Sequence, residues 1–330
     1  MAPAANRGAE LPALDIAEVR RRAHFSLTKT DASIAAMRDA LATVSAVPVT
    51  PFTPDGSIDE PALERVVARM VSQGVQVVVP CGGTGEFSEL TADERDRVAR
   101  LTVDAAGGAL VLVGVGGDLD GAVRATRAAA TAGAAGVMIH ALGDPYLTAD
   151  GIAAYVERVA AAADGVIVPY FRGRLPAASA IARIAGLEQA VAVKWAIPDV
   201  QGFARFADRY GDDVVPVCGL AESWAPYFAL AGGRGFTSGL VNVDARLPLA
   251  LASALERCDF TAAMDLWRAC LPFEELRARH DAGNNVPGVK EAMEIAGLIP
   301  SATVRPPLAP LSPADRAELE QIVKALAPRP

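Results

Sequence analysis

From Ser45 onward, apolar runs of strand length alternate with amphipathic stretches of helix length. The apolar runs are Ala46–Thr50, Val75–Cys81, Leu110–Val115, Gly136–His140, Gly165–Tyr170, Ala190–Trp195, Asp213–Cys218 and Gly235–Leu240. Short runs that are nearly all apolar predict parallel strands covered on both faces. Between them the spacing predicts helices over Glu60–Gln73, Ala92–Ala106, Gly121–Ala132, Ala149–Ala163, Ala178–Ala185, Gln201–Tyr210, Ser223–Ala231 and Leu247–Arg257. Strand followed by helix, repeated eight times, predicts an α/β chain folded as a (β/α)8 TIM barrel. A doubly wound sheet is the competing arrangement, and it would carry a dinucleotide fingerprint after its first strand.

After Arg257 the strand signal stops. Phe260–Arg279, Val286–Ala296 and Pro313–Leu326 read as helices, separated by Asn284-Asn285 and by the Pro-rich stretch Val304–Pro310. The expected organisation is therefore an N-terminal extension over 1–44, a barrel over 45–257 and a C-terminal three-helix extension over 258–330. Within the first segment, short helices are expected near Asp15–Arg22 and Asp31–Leu41.

Composition narrows the function. The chain has 330 residues, 52% of them hydrophobic, so a full core is available and global disorder is excluded. A net charge of −8 argues against a general nucleic-acid binder, which needs a basic footprint. Cys81, Cys218, Cys258 and Cys270 form no CxxC pair, and His24, His140 and His280 are scattered. No dedicated metal site and no cofactor are expected from that pattern. Sparse cysteines and the absence of an apolar leader in Met1–Arg22 point to a cytoplasmic protein, and no apolar run reaches membrane-spanning length. Only four of the 31 cationic residues are lysines, at 29, 194, 290 and 324, so a lysine in an apolar setting needs an explanation.

In a βα barrel the site is built at the C-terminal ends of the strands. Strand 2 ends in Cys81-Gly82-Gly83-Thr84-Gly85-Glu86, where glycines let the backbone turn and present N–H groups to an anion. A tight turn with no ligand is the alternative. No Gly-Lys-Ser/Thr follows, so this is not a P-loop. Two further glycine runs fail their patterns: Gly114-Val115-Gly116-Gly117-Asp118-Leu119 breaks the dinucleotide fingerprint at Leu119, and Gly235-Phe236-Thr237-Ser238-Gly239 has its serine misplaced for a nucleophile elbow. Strand 6 is Val191-Ala192-Val193-Lys194-Trp195. Its lysine is either an inward functional amine or an outward residue snorkelling past a helix. A desolvated amine has a lowered pKa and can attack a ketone to form an imine, which when protonated stabilises an adjacent carbanion without metal or cofactor. Strand 5 ends in Pro169-Tyr170-Phe171-Arg172-Gly173-Arg174. The tyrosine is a proton relay or a core aromatic, and the arginines are carboxylate ligands or a solvated loop.

With these strand ends in place, the sequence resembles the dihydrodipicolinate synthase / N-acetylneuraminate lyase family, Schiff-base-forming barrel enzymes that act on pyruvate and other 2-oxo acids. The likeness covers residues 45–325. It rests on Val49-Thr50-Pro51-Phe52 with Asp55-Gly56, on Gly82-Gly83-Thr84-Gly85-Glu86, on Val193-Lys194 and on the helical extension. Gly-Gly-Thr-Gly-Glu-Phe together with Val304-Arg305-Pro306-Pro307-Leu308 looks most like the 5-dehydro-4-deoxyglucarate dehydratase branch. The resemblance implies that Lys194 forms the imine, that Thr84 and neighbouring amides hold the 2-oxo acid carboxylate, that Tyr170 shuttles protons to and from the imine, and that Thr237 lines the pyruvate pocket. Gly83, Thr50, Arg174, His140 and Tyr146 complete the candidate substrate-binding set.

The sequence departs from the family pattern in three places. Synthase members have a second threonine where Gly83 stands, and its hydroxyl links two tyrosines in a proton relay. The paired tyrosines expected after strand 4 are replaced by His140-Ala141-Leu142-Gly143-Asp144-Pro145-Tyr146. The strand-5 tyrosine position falls on Pro169, with Tyr170 one residue on. The expected function is a Schiff-base aldolase or dehydratase acting on a 2-oxo acid, with an aldehyde as a further small-molecule partner and a homodimer or homotetramer as the assembly. The alternatives are 4-hydroxy-tetrahydrodipicolinate synthase and a non-catalytic metabolite-binding barrel.

Overall fold

The structure is a computed structural model that describes residues 31–326. A helix near Asp15–Arg22 falls outside the described residues. Eight parallel strands close on themselves in sequence order: β1 Val44–Ala46, β2 Val77–Val78, β3 Leu110–Val115, β4 Gly136–Ile139, β5 Val166–Arg172, β6 Ala192–Ala196, β7 Val215–Cys218 and β8 Gly235–Ser238. β8 pairs back onto β1, with Thr237 opposite Ser45. Closure decides for the TIM barrel over the doubly wound sheet.

Helix α1 (Asp31–Leu41) precedes β1. α2 (Glu60–Ser72), α3 (Ala92–Ala105), α4 (Leu119–Thr131), α5 (Ala149–Ala160), α6 (Ala178–Ala185), α7 (Val200–Tyr210), α8 (Ala221–Leu230) and α9 (Arg246–Glu256) follow the strands in turn. Asp59, Thr91, Asp118, Thr148 and Asp199 each cap a helix by accepting a backbone N–H. Such a cap is typically worth about 1 kcal/mol. α10 (Phe260–Ala282), α11 (Asn285–Ile295) and α12 (Pro313–Leu326) complete the chain, and α10 packs on α8 and α9.

Strand alternation sorts the core into two layers. Val77, Leu112, Met138, Val166, Val168, Ala192, Val215 and Val217 fill the barrel interior. Val193 and Trp195 face outward, where Trp195 meets Phe203 and Phe206 of α7. The same alternation carries Lys194 inward with Ala192, so the snorkelling alternative does not hold: the lysine is only 6% exposed.

Only β3 keeps its expected bounds; β4, β6, β7 and β8 differ by one or two residues at one or both ends, and for β1, β2 and β5 the structure shows why. β1 lies two residues earlier than Ala46–Thr50, because the chain bends over the mouth at Pro48 and Pro51 and its groups bond to loops: Val49 N–H donates to Asn242 Oδ1 and the Thr50 hydroxyl to the Gly85 carbonyl. β2 stops before Pro80, and Cys81 then takes left-handed backbone at φ 55°. β5 runs two residues further than expected, because Tyr170, Phe171 and Arg172 stay paired with Lys194, Trp195 and Ala196.

Candidate active site

The strand-2 loop is bounded by two non-glycine residues in left-handed backbone, Cys81 and Glu86, the latter at φ 59°. Such backbone costs of order 1–3 kcal/mol and persists where surroundings over-determine it. Packing does so here. A Cβ on Gly82 would stand 2.5 Å from Val47 Cγ1, and one on Gly85 would stand 2.9 Å from the Pro48 carbonyl oxygen. Glu86 is fully buried and ion-paired with Lys290 of α11, itself 0% exposed. The other Glu86 oxygen accepts from Arg305 N–H at 3.1 Å. Lys290 also donates to the Thr303 carbonyl at 2.7 Å and lies 3.9 Å above the Phe52 ring. The result is a loop whose Gly83 and Thr84 N–H groups, and Thr84 hydroxyl, make no hydrogen bond among the described residues. Three unspent donors beside one another form an anion cradle.

Lys194 faces this loop across a cavity of about 290 Å³, which Gly83, Thr84, Tyr170, Lys194 and Thr237 all line. Its Nζ sits 4.3 Å above the Tyr170 ring. Burial pulls the amine down to about 8, and the Arg172 cation pulls it in the same direction. Burial raises the Tyr170 phenol, so its proton is held at neutral pH. Lys290, by contrast, is spent on Glu86, and Lys324 lies on the exposed side of α12. Among the described lysines, Lys194 alone is a buried amine without a carboxylate partner.

The structure thus gathers five of the nine expected residues around one cavity. Thr50 stands behind it, holding the loop through Gly85. His140 lines an adjoining cavity of about 740 Å³ that shares Gly83, Tyr170 and Arg172 with the first. Arg174 lines neither of these cavities; past Arg172 the chain turns at Gly173, in left-handed backbone at φ 69°, and Arg174 lies against a third cavity between the β4 and β5 loops. Tyr146 is 89% exposed and lines none of the three.

Arg172 lines the lysine cavity in the place considered for Arg174, because β5 extends far enough for alternation to turn Tyr170 and Arg172 the same way. The other unforeseen wall comes from the helical extension. Arg277 donates to Glu274 Oε1 at 2.6 Å and to the Asn285 carbonyl at 3.3 Å, and all three residues line the cavity. The i, i+3 spacing of Glu274 and Arg277 is a sequence signal for the pair, but nothing in it points toward the barrel mouth. Glu222, fully buried beneath, accepts from the Ser238 hydroxyl and leaves Oε2 without a partner.

A TIM barrel with its free amine buried at the strand ends is a lyase of the class I, Schiff-base-forming aldolase and dehydratase type. The chain belongs to the Dihydrodipicolinate synthetase family, whose sequence model matches residues 40–326. It is 32% identical over 289 residues to the 4-hydroxy-tetrahydrodipicolinate synthase of Syntrophobacter fumaroxidans, covering 84% of this chain and 96% of that one. It is 34% identical over 285 residues to a protein of Xanthomonas campestris pv. campestris named probable 5-dehydro-4-deoxyglucarate dehydratase, covering 84% and 92%. The crystal structure of dihydrodipicolinate synthase from Oceanobacillus iheyensis superposes with a TM-score of 0.85 at 37% identity, covering 89% of this chain and 99% of that one.

Proposed function

We propose that the chain forms an imine between Lys194 and pyruvate or a related 2-oxo acid, and cleaves or dehydrates the bound acid. The carrying observation is the Lys194 amine, buried, lowered to about 8 and free of any carboxylate among the described residues. The Gly83 and Thr84 donors bind the carboxylate next to the reacting carbonyl. The Thr84 hydroxyl adds a third donor, Thr50 keeps the loop in place, and Thr237 closes the strand-8 side. Tyr170 gives a proton to the carbinolamine oxygen as water leaves, and recovers it on hydrolysis. Arg172 depresses the lysine and faces the same space.

Open space beyond Gly83, where a Cβ would meet nothing within 4 Å, supports the aldolase or dehydratase reading over the synthase. The hydroxyl relay of the synthases has no side chain there. The enzyme works in the cytoplasm as a homodimer or homotetramer, without metal or organic cofactor. No helix among the described residues is long and apolar enough to cross a membrane.

Borohydride reduction in the presence of a panel of 2-oxo acids, followed by intact-mass and peptide mapping, tests the reading. One reduced adduct per chain on the Lys194 peptide is expected. An adduct on Lys290, or none with any 2-oxo acid, would overturn it.

A further inference from the structure

His140 continues the inward series of β4 after Met138, at the point where the strand gives way to loop. Its Nε2 lies 2.8 Å from the carbonyl oxygen of Cys81. A carbonyl oxygen only accepts, so Nε2 carries the hydrogen, and the lone pair of the neutral ring is on Nδ1. Nδ1 meets no donor among the described residues.

The ring is held in that state from several sides. Phe87 lies against it at 4.2 Å between centroids, and the Tyr170 ring meets it edge-on at 6.0 Å. The end of β3 and the residue after it make room for it: a Cβ on Gly114 would stand 2.8 Å from Nε2, and one on Gly116 would stand 2.9 Å from His140 Cβ. Burial lowers the imidazole to about 4, and the nearby Lys194 and Arg172 cations oppose its protonation further. Nδ1 is therefore an available base at neutral pH.

An imine on Lys194 needs such a base. To become an enamine it must lose a proton from C3, the carbon beside the imine carbon. Tyr170 still holds its own proton and Gly83 has no side chain. His140 and Lys194 both pack against the Tyr170 ring, and His140 lines the cavity wall that Gly83 and Tyr170 share.

We propose that His140 Nδ1 takes the C3 proton of the 2-oxo acid held on Lys194. This rests on the imine reading above. The C3–H pair becomes the C2=C3 bond, the C2=N pair returns to nitrogen, and the proton sits on Nδ1. In a dehydration the nitrogen pair then re-forms C2=N, the C2=C3 pair moves to form C3=C4, and the C4–O bond breaks with its pair on oxygen. The departing hydroxyl takes the Nδ1 proton and leaves as water, so the ring ends as it began. With pyruvate, which has no C4, the same proton returns to C3 and exchanges with solvent.

Pyruvate in D2O with the full chain therefore tests the assignment, by proton NMR of the methyl signal beside borohydride trapping of the same samples. His140→Gln can still donate to the Cys81 carbonyl but supplies no base, and His140→Asn is the second variant. Methyl exchange should fall by about 10²-fold or more in both, the usual worth of a positioned base, with the Lys194 adduct still formed. Exchange at the wild-type rate in either variant would overturn the proposal, as would a wild type that traps pyruvate without exchanging it. Loss of trapping and exchange together in both variants would make His140 a shaping residue and overturn it too. Where pyruvate is not trapped, C3–H exchange is read on whichever 2-oxo acid of the panel is, and a wild type that traps none of them refutes the imine reading itself.

Discussion

Tyr170 and Lys194 share one rung of the β5–β6 ladder, and the amine lies on the face of the phenol ring rather than at its hydroxyl. Paired residues on parallel strands point the same way, so the two cannot separate without breaking the sheet. The ring face steadies the ammonium form, and the Arg172 side chain hydrogen-bonds the phenol hydroxyl.

The amine's environment predicts its pH dependence. Imine formation requires the free base, and Lys194 is lowered to about 8 from an ordinary 10.5. The rate of borohydride trapping should rise with pH to a plateau with a midpoint near 8. Arg172→Leu removes a cation that disfavours the ammonium, so its midpoint should move upward. A wild-type midpoint near 10.5 would mean that the lysine is solvated.

Tyr170 and Thr84 should fail differently. Tyr170→Phe removes a proton transfer and should lower kcat by roughly 10²–10⁴, with the adduct still reached more slowly. Thr84→Val removes a donor to the carboxylate and should raise KM, a charged hydrogen bond being worth about 1.5–3 kcal/mol. Steady-state kinetics separates the two. A Tyr170→Phe enzyme with wild-type turnover would place the imine proton transfer elsewhere.

The barrel was legible because its signal is local. Runs such as Leu110–Val115 are apolar throughout, and the observed β3 keeps those bounds. The lysine itself stood out, since one charge in Val191–Trp195 needs an explanation, but its inward direction is set by the alternation of β6 in the closed barrel. Arg172 and Arg174 were not separable from sequence, because their placement depends on where β5 ends, and a ladder of long-range pairs sets that. Arg277 and Asn285 were hidden for a similar reason. They reach the cavity through the packing of α10 and the start of α11 over the barrel mouth, which no residue pattern within either helix encodes.

Lys290 makes a further test of that packing. It is the fully buried partner of Glu86, and so joins the helical extension to the carboxylate loop. Lys290→Met strands the carboxylate, and breaking such a buried pair costs about 3–5 kcal/mol. A lower Tm and a raised KM are expected, with borohydride still labelling Lys194. Adding Glu86→Gln removes the stranded charge and should recover much of the Tm. A Lys290→Met chain with unchanged Tm and KM would show that the loop holds itself.

Glu222 predicts how stability responds to pH. Burial raises its carboxyl from an ordinary 4.5 to about 8, the neighbouring Glu274 charge adds to the rise, and the Ser238 hydroxyl and the Arg277 cation oppose it. The folded chain therefore keeps this proton where the unfolded chain has lost it. The stabilisation is fully present below about pH 4.5, and it drains away as pH climbs through the folded value near 8. Glu222→Gln keeps an uncharged group of the same shape beside Ser238 and has no proton to lose. Urea midpoints compared between pH 5 and pH 8 should fall more steeply for the wild type than for the variant. The difference should be about 1–3 kcal/mol, since a tenfold change in proton affinity is worth about 1.4 kcal/mol. Parallel pH profiles for the two proteins would mean that Glu222 is ionised in the fold, with Arg277 as its counter-charge.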